Sequence, residues 1–187
     1  MDTSSVKPGL FSFAQHPAPA GTGAWHKVAS LLRQTGFVVL IGGGLSLLAS
    51  LLLAWQYTTY SYAGGGMFGI VFGLAWMAAG MFWVSYTFVH WCNRNVAGWK
   101  HAQILAIVLI VLGGLGALSG LMAFGVYSIL SAIAPMLGTW FMLSTVVSLI
   151  TAAAYLYFGI MILTNRSKPE CQAAFGMANA PPPGMAH

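Results

Sequence analysis

Four long runs of apolar residues constrain this sequence more than any other feature. None of them contains Asp, Glu, Lys, Arg or His. A helix needs about 20 residues to cross a hydrocarbon core of about 30 Å, and each run is long enough to do so. Only 5% of the 187 residues are charged, against about 25% in a typical soluble domain. The sequence therefore predicts an all-α integral membrane protein and excludes a cytosolic enzyme, a nucleic-acid-binding domain and a secreted disulfide scaffold. The predicted four-helix transmembrane bundle covers residues 35–165, with spans at 36–55, 67–89, 102–125 and 139–163.

The basic residues predict the orientation of the bundle. Lysine and arginine occur before the first run, between the second and third, and after the last, and in neither of the other two connections. Because such residues concentrate on the cytoplasmic side, we expect both termini to be cytoplasmic, in a bacterial inner membrane or a eukaryotic cellular membrane. The residues expected at the membrane surface are Trp25, Lys27, Arg33, Arg94, Lys100, Arg166 and Lys168.

The segments outside the spans differ in character. Residues 1–21 and 166–187 are rich in Pro, Gly, Ala and Ser, which predicts flexible tails. Between the first tail and the first span, apolar residues recur at helical spacing, which predicts an amphipathic helix over 22–34. We expect this helix to lie on the cytoplasmic membrane surface, the alternative being an extension of the first transmembrane helix. Its apolar residues are Trp25, Val28, Leu31 and Leu32.

Small residues recur every fourth position along each predicted span. Helices in lipid associate by close packing, and small residues allow their backbones to approach. We expect most of these residues to pack inside the bundle, and the run made only of glycine to face a partner subunit. That run is Gly65, Gly69 and Gly73, and the other predicted packing residues are Gly116, Gly120, Ser144 and Ser148.

The chain offers little material for chemistry. His90 and His101 stand at the two ends of the connection between the second and third spans, with Cys92 nearby. Imidazole and thiolate bind zinc, copper or haem iron, but this spacing matches no compact metal motif. Proton relays and ion pathways need ionisable groups at membrane depth. The four runs contain no Asp, Glu, Lys, Arg or His. We therefore predict no catalytic residue, no metal and no cofactor, with bound lipid as the expected small molecule.

In layout, residues 36–165 resemble the tetraspan proteins typified by the MARVEL and CD20-like families, which share four spans, cytoplasmic termini and short loops. This is a resemblance of topology, and a layout by itself implies no function. The small-residue helix faces, the small extramembrane mass and the absence of polar sites at depth favour a non-enzymatic structural or accessory subunit. Such a subunit would pack laterally in a larger membrane assembly, with lipids, other integral membrane subunits or copies of itself as partners, and no nucleic acid.

Two other functions remain open at this stage. The first is an oligomeric channel or small-solute pore lined by serines of the first and fourth spans, Ser46, Ser50, Ser144 and Ser148. The second is a cofactor-bearing subunit of an electron-transfer or light-harvesting complex, which would depend on His90 and His101.

Overall fold

The structure, a computed structural model, describes residues 8–58, 63–133 and 135–177, and these contain helices and no strand. The side chains of 49–50, 52–58, 63–69, 130, 133, 135–138 and 140 are outside this description. The helices are α1 (Ser12–Gln15), α2 (Ala24–Thr58), α3 (Ala63–Cys92), α4 (Val96–Ile133), α5 (Pro135–Arg166) and α6 (Pro169–Ala174).

Four of these helices are long and apolar enough to cross a membrane, which confirms the prediction of an all-helical chain with four such elements. They are compatible with a multi-pass membrane protein. The helices extend beyond the predicted spans, because a helix does not stop where its apolar run stops. At 1.5 Å per residue the 38 residues of α4 measure about 57 Å, nearly twice the thickness of a hydrocarbon core. The four candidate spans are Ala24–Leu48, Ile70–Cys92, Val96–Ile129 and Phe141–Arg166.

Helices α4 and α5 form the most extensive pair in the bundle, and α2 packs against both α3 and α5. Helices α3 and α4 touch each other less extensively. Glycines allow the closest approach of α4 and α5. A Cβ built on Gly113 would lie 2.8 Å from the carbonyl oxygen of Ala152, and one on Gly159 would lie 2.7 Å from that of Ala106. The two backbones are therefore in contact at two levels.

All the lysines and arginines that the structure describes lie at one end of the bundle, which we call the basic end. It consists of the first turns of α2 and α4, the last turns of α3 and α5, and the short helices α1 and α6. The protein core lies at this end rather than along the whole bundle. The largest fully buried side chains are Trp91, Phe13, Phe88, Leu32, Ile162, Val28 and Val84.

Parts of the predicted flexible tails, residues 8–21 and 167–177, pack on this core. Phe13 in α1 is fully buried, and its carbonyl oxygen accepts a hydrogen bond from Nε of Arg33 at 3.0 Å. Ser85 on α3 donates to the carbonyl oxygen of Leu10 at 2.8 Å. A single aromatic side chain with two backbone anchors thus holds a segment whose average composition is that of a loop. Residues 1–7 and 178–187 of the predicted tails lie outside the described residues.

The amphipathic segment predicted over 22–34 is not a separate element, because α2 continues from Ala24 through the first span without a break. The apolar side chains of this segment are buried in protein, as in the alternative of an extended first helix. Thr35 supports the continuity, since its hydroxyl donates to the carbonyl oxygen of Leu31 at 2.8 Å. Gly36 beside it leaves the space that the Phe13 ring occupies. The position of this segment at a membrane surface stays a prediction.

Candidate functional site

A cavity of about 530 Å³ lies among the four long helices, next to the basic-end core. Its walls come from one stretch of each helix, at residues 39–47, 73–84, 105–116 and 148–155. Binding sites for small molecules typically measure about 300–1,000 Å³, so this cavity has the size of a ligand site. It is the candidate functional site of the described part of the chain.

Glycines set the positions of the helices around the cavity. A Cβ on Gly42 would lie 2.9 Å from the hydroxyl of Thr151 on α5, and one on Gly43 would lie 2.8 Å from Cγ of Met77 on α3. These two adjacent glycines of α2 therefore allow the helix to pack closely against α5 on one side and against α3 on the other. Helices α3 and α4 contact each other less extensively than the other pairs of long helices that pack together. The cavity occupies the space that is left between them and α2 and α5.

The lining of the cavity is mostly apolar, with a few hydroxyl groups. The hydroxyl of Thr151 donates to the carbonyl oxygen of Val147 at 2.9 Å and is thereby satisfied within its own helix. The hydroxyls of Ser148 and Tyr155, which also line the cavity, make no hydrogen bond to any described residue. No charged side chain and no histidine lines the cavity in the described part of the chain. The site can therefore hold a neutral molecule and offer it two hydroxyl groups.

The cavity does not continue through the basic end. Its lining ends at Val84 on α3 and Leu105 on α4, and one turn further along α3 the side chain of Phe88 is fully buried. Trp91 follows, also fully buried, and its indole donates to the carbonyl oxygen of Trp25 at 3.2 Å. A packed core thus separates the cavity from this end of the protein.

An aromatic cluster with one cation forms that core. The rings of Trp91 and Trp99 stack with centroids 5.9 Å apart and an interplanar angle of 9°. Phe175, from the segment after α6, contacts both rings at 4.8 and 5.2 Å. The guanidinium of Arg166 lies 4.2 Å from the centroid of Trp99 and donates to the side-chain oxygen of Gln103 at 2.9 Å. The ring of Trp99 and the side-chain oxygen of Gln103 thus stabilise the buried guanidinium of Arg166. No carboxylate of the described residues pairs with it.

The residues predicted at the membrane surface differ in how exposed they are. Lys27, Arg94, Lys100 and Lys168 are exposed, and Arg33 is half-buried. Trp25 and Arg166 are buried inside the protein. The guanidinium of Arg94 lies 4.9 Å from the centroid of the Trp25 ring, so the two predicted surface residues contact each other across the basic end.

Two of the predicted helix-packing residues lie between α4 and α5. A Cβ on Gly116 would lie 3.1 Å from the Cβ of Ala152, and one on Gly120 would overlap the side chain of Leu149. The prediction did not specify which helix they face, and the structure places both against α5.

The other predicted packing residues lie elsewhere. Gly73 faces α2, where a Cβ would lie 2.9 Å from Cδ2 of Leu47, so this member of the glycine run contacts its own chain. Ser144 is half-buried, and Ser148 lines the cavity. Gly65 and Gly69 fall outside the residues whose side-chain surroundings the structure describes.

The two histidines flank a tyrosine. The ring of Tyr86 lies 4.2 Å from that of His90 and 5.0 Å from that of His101, between centroids. Nδ1 of His90 lies 3.4 Å from the amide nitrogen of Asn95, whereas Nδ1 of His101 is buried and has no hydrogen-bond partner among the described residues. No group of three or more His, Cys, Asp or Glu side chains within the described ranges could hold a metal ion.

The cysteine of the last segment has the character of a core residue. Cys171 on α6 is fully buried, and this burial raises the pKa of its thiol to about 11, although the nearby guanidinium of Arg166 acts in the opposite direction. Because the thiolate is the nucleophile, a thiol with so high a pKa is unreactive at neutral pH.

Sequence reasoning missed the cavity, although one signal for it was present. Ser148 and Tyr155 are seven residues apart, which places both on one face of α5. A serine and a tyrosine two turns apart on the same face of a membrane helix mark a polar position at depth. The gap that they face depends on how α3 and α4 pack, and no local pattern encodes that.

The chain matches no known protein family, no curated protein and no solved structure.

Proposed function

We propose that this protein is a non-enzymatic accessory subunit of a larger membrane assembly, a multi-pass protein with both termini in the cytoplasm. It binds other integral membrane subunits, or copies of itself, through the part of α4 farthest from the basic end. The observation that supports this proposal is a row of exposed apolar side chains on α4 that continues beyond the length a bilayer covers.

The length argument starts from Lys100, whose charge holds the beginning of α4 at headgroup level. From Lys100 to Ile129 there are 29 residues, which measure about 44 Å along the helix. A hydrocarbon core of about 30 Å covers about 21 of them at a typical tilt of about 20°. The core therefore ends near residue 121, and about eight residues of the candidate span, most of them apolar, lie beyond it.

Those residues expose large apolar side chains. Met122 is 71% exposed, Val126 47% and Ile129 61%. Fully burying one side chain of this kind contributes about 1.5–3 kcal/mol, so a partner that covers the three recovers a few kcal/mol. Helix α4 also offers room for close contact here, since a Cβ on Gly125 would meet no atom within 4 Å. The hydroxyl of Ser128 donates to the carbonyl oxygen of Gly125 and makes no demand on a partner.

The orientation of the subunit follows from the basic end. Six of the seven lysines and arginines are described, and all six lie at this end. The preference of such residues for the cytoplasmic side supports an orientation with α1 and α6 in the cytoplasm. The exposed far part of α4 then reaches the opposite surface, where it meets its partner.

The experiment is the mass and composition of the native particle, extracted in a mild detergent and analysed by light scattering and mass spectrometry. We expect the protein mass of the particle, without its detergent, to exceed that of one 19.8 kDa chain. The double variant Met122→Gln, Ile129→Gln should release the partner and keep the helical content. The matched control is Val96→Gln, which changes an exposed apolar residue at the other end of α4 and should leave the particle intact. A monomeric native chain, or a double variant with an unchanged particle, contradicts the proposal.

The two other functions have less support. The serine-lined path of a pore would include Ser46 and Ser148, which do line the cavity, but Phe88 and Trp91 are packed beyond its end. The histidines of a cofactor site, His90 and His101, contact the ring of Tyr86. A homo-oligomer with a defined number of subunits in the mass measurement would favour the pore. An absorption band in the visible range would favour the cofactor-bearing subunit.

A further inference from the structure

We infer that the cavity among α2, α3, α4 and α5 binds a neutral, membrane-soluble lipid that carries one hydrogen-bonding oxygen. This inference does not depend on the accessory-subunit proposal, because the cavity and the exposed part of α4 are different surfaces. Four observations carry it: the volume of the cavity, its depth, its unpaired hydroxyls and its lack of charge.

The cavity has the volume of a ligand site and opens to one side. Its lining includes exposed side chains, among them Trp76, which is 60% exposed. A space of about 530 Å³ lies within the range of ligand pockets. At about 30 Å³ for each water-sized atom, it holds a molecule of roughly 15 to 20 non-hydrogen atoms.

The depth of the cavity identifies its source of ligand. On α4 the lining starts five residues after Lys100 and ends at Gly116, which corresponds to about 8–24 Å from the charged rim. On α2 it starts at Val39, six residues after Arg33. These depths fall inside a hydrocarbon core of about 30 Å, so the molecule that fills the cavity comes from the bilayer.

Two hydroxyls in the lining indicate an oxygen on the bound molecule. Hydroxyls on membrane helices ordinarily bond to the backbone one turn earlier, as those of Thr145 and Thr164 do on the same helix, at 2.9 and 2.8 Å. The hydroxyls of Ser148 and Tyr155 have no such bond among the described residues and border the cavity instead. Because lipid supplies no water, an unpaired hydroxyl at this depth favours a ligand that can accept its hydrogen bond.

The lining also restricts the charge and shape of the lipid. Within the described residues no ionisable group other than the Tyr155 phenol borders the cavity, so a phosphate or ammonium headgroup would be desolvated without a counter-charge. The side chains of Trp76 and Trp83 on α3 add flat apolar walls. The ligand is therefore an uncharged alcohol or carbonyl compound with an apolar chain or ring.

The test uses a matched pair of probes, farnesol and farnesyl phosphate, which share one chain and differ in the charge of the head. Farnesol has 16 non-hydrogen atoms, close to the capacity estimated above. The full chain is placed in nanodiscs of dioleoylphosphatidylcholine, and binding is followed by tryptophan fluorescence and by the shift in the unfolding midpoint, with empty nanodiscs as the partition blank. We expect saturable binding of farnesol and at least tenfold weaker binding of farnesyl phosphate.

Variants connect that binding to the cavity. Tyr155→Phe and Ser148→Ala should each weaken farnesol binding by about 2- to 13-fold, the range that corresponds to one neutral hydrogen bond. Tyr157→Phe removes a hydroxyl from the exposed face of the same helix and should leave binding unchanged. Equal binding of the two probes, no saturable farnesol signal, or equal effects of Tyr155→Phe and Tyr157→Phe would each overturn the inference.

Discussion

Two adjacent glycines on α4 face opposite surroundings and allow a controlled test of the fold. A Cβ on Gly113 would lie 2.8 Å from the carbonyl oxygen of Ala152 and 2.9 Å from the backbone nitrogen of Leu156. A Cβ on Gly114 would meet no atom within 4 Å. The same change to alanine at the two positions therefore differs only in what the new methyl group contacts.

The expected magnitudes follow from that difference. Alanine is favoured over glycine by about 1 kcal/mol in a helix interior, at either position. At Gly114 this gain stands alone, so Gly114→Ala should stabilise the protein by up to about 1 kcal/mol. At Gly113 backbone atoms of α5 must move to admit the methyl group, and such overpacking costs about 1–3 kcal/mol. Because the propensity gain is common to both, Gly113→Ala should be less stable than Gly114→Ala by about 1–3 kcal/mol.

The assay is thermal unfolding of both variants and the parent in one detergent, followed by circular dichroism. For a chain of this length 1 kcal/mol corresponds to about 2–4 °C in Tm, so Gly113→Ala should unfold about 2–12 °C below Gly114→Ala. Gly159 on α5 contributes to the same helix pair, and a Cβ there would lie 2.7 Å from the carbonyl oxygen of Ala106. Gly159→Ala should therefore also unfold at a lower temperature than Gly114→Ala. Equal Tm values for Gly113→Ala and Gly114→Ala would refute the close contact of α4 and α5.

Three further predictions concern the basic end. Phe13→Ala empties a fully buried site and should destabilise the protein by about 3–5 kcal/mol, and protease should then cut the N-terminal segment; an uncut segment would count against its docking. The thiol of Cys171 has its pKa raised from 9.0 to about 11, so its contribution to stability is complete below pH 9 and is lost as the pH rises toward 11. Iodoacetamide should accordingly alkylate Cys171 slowly at pH 8, and a rate equal to that of a peptide thiol would contradict its burial. Ser167→Cys, in a chain with both natural cysteines replaced, provides an exposed thiol that impermeant reagents should reach only from the cytoplasm; labelling from outside would reverse the orientation.

The sequence predicts the four long helices because their backbones have no other way to satisfy hydrogen bonds in lipid. It places their ends less well. The first span was predicted from residue 36, but α2 starts at Ala24, since its first turns are held by burial in protein rather than by an apolar run. An apolar run reports where lipid must be, and a helix continues as far as packing and hydrogen bonds support it.

The packed tails were missed for a different physical reason. Composition averages over a segment, whereas docking depends on single side chains such as Phe13 and Phe175. The partner of Phe175 is the stack of Trp91 and Trp99, more than 70 residues earlier, and no local pattern connects such distant positions. One local signal was available, because Pro169 at the first turn of α6 is typical of a helix start.

The contact of Phe175 with Trp91 and Trp99 also determines when the protein can finish folding. A ribosome makes the chain from its N-terminus, so α3 and α4 are complete well before residue 175 is synthesised. Until then Phe175 cannot cover the two stacked indoles at the basic end. Final closure of this core must therefore wait for the segment that follows α6. A polypeptide truncated before Phe175 leaves this tryptophan surface open to the chaperones and proteases that survey incompletely folded proteins.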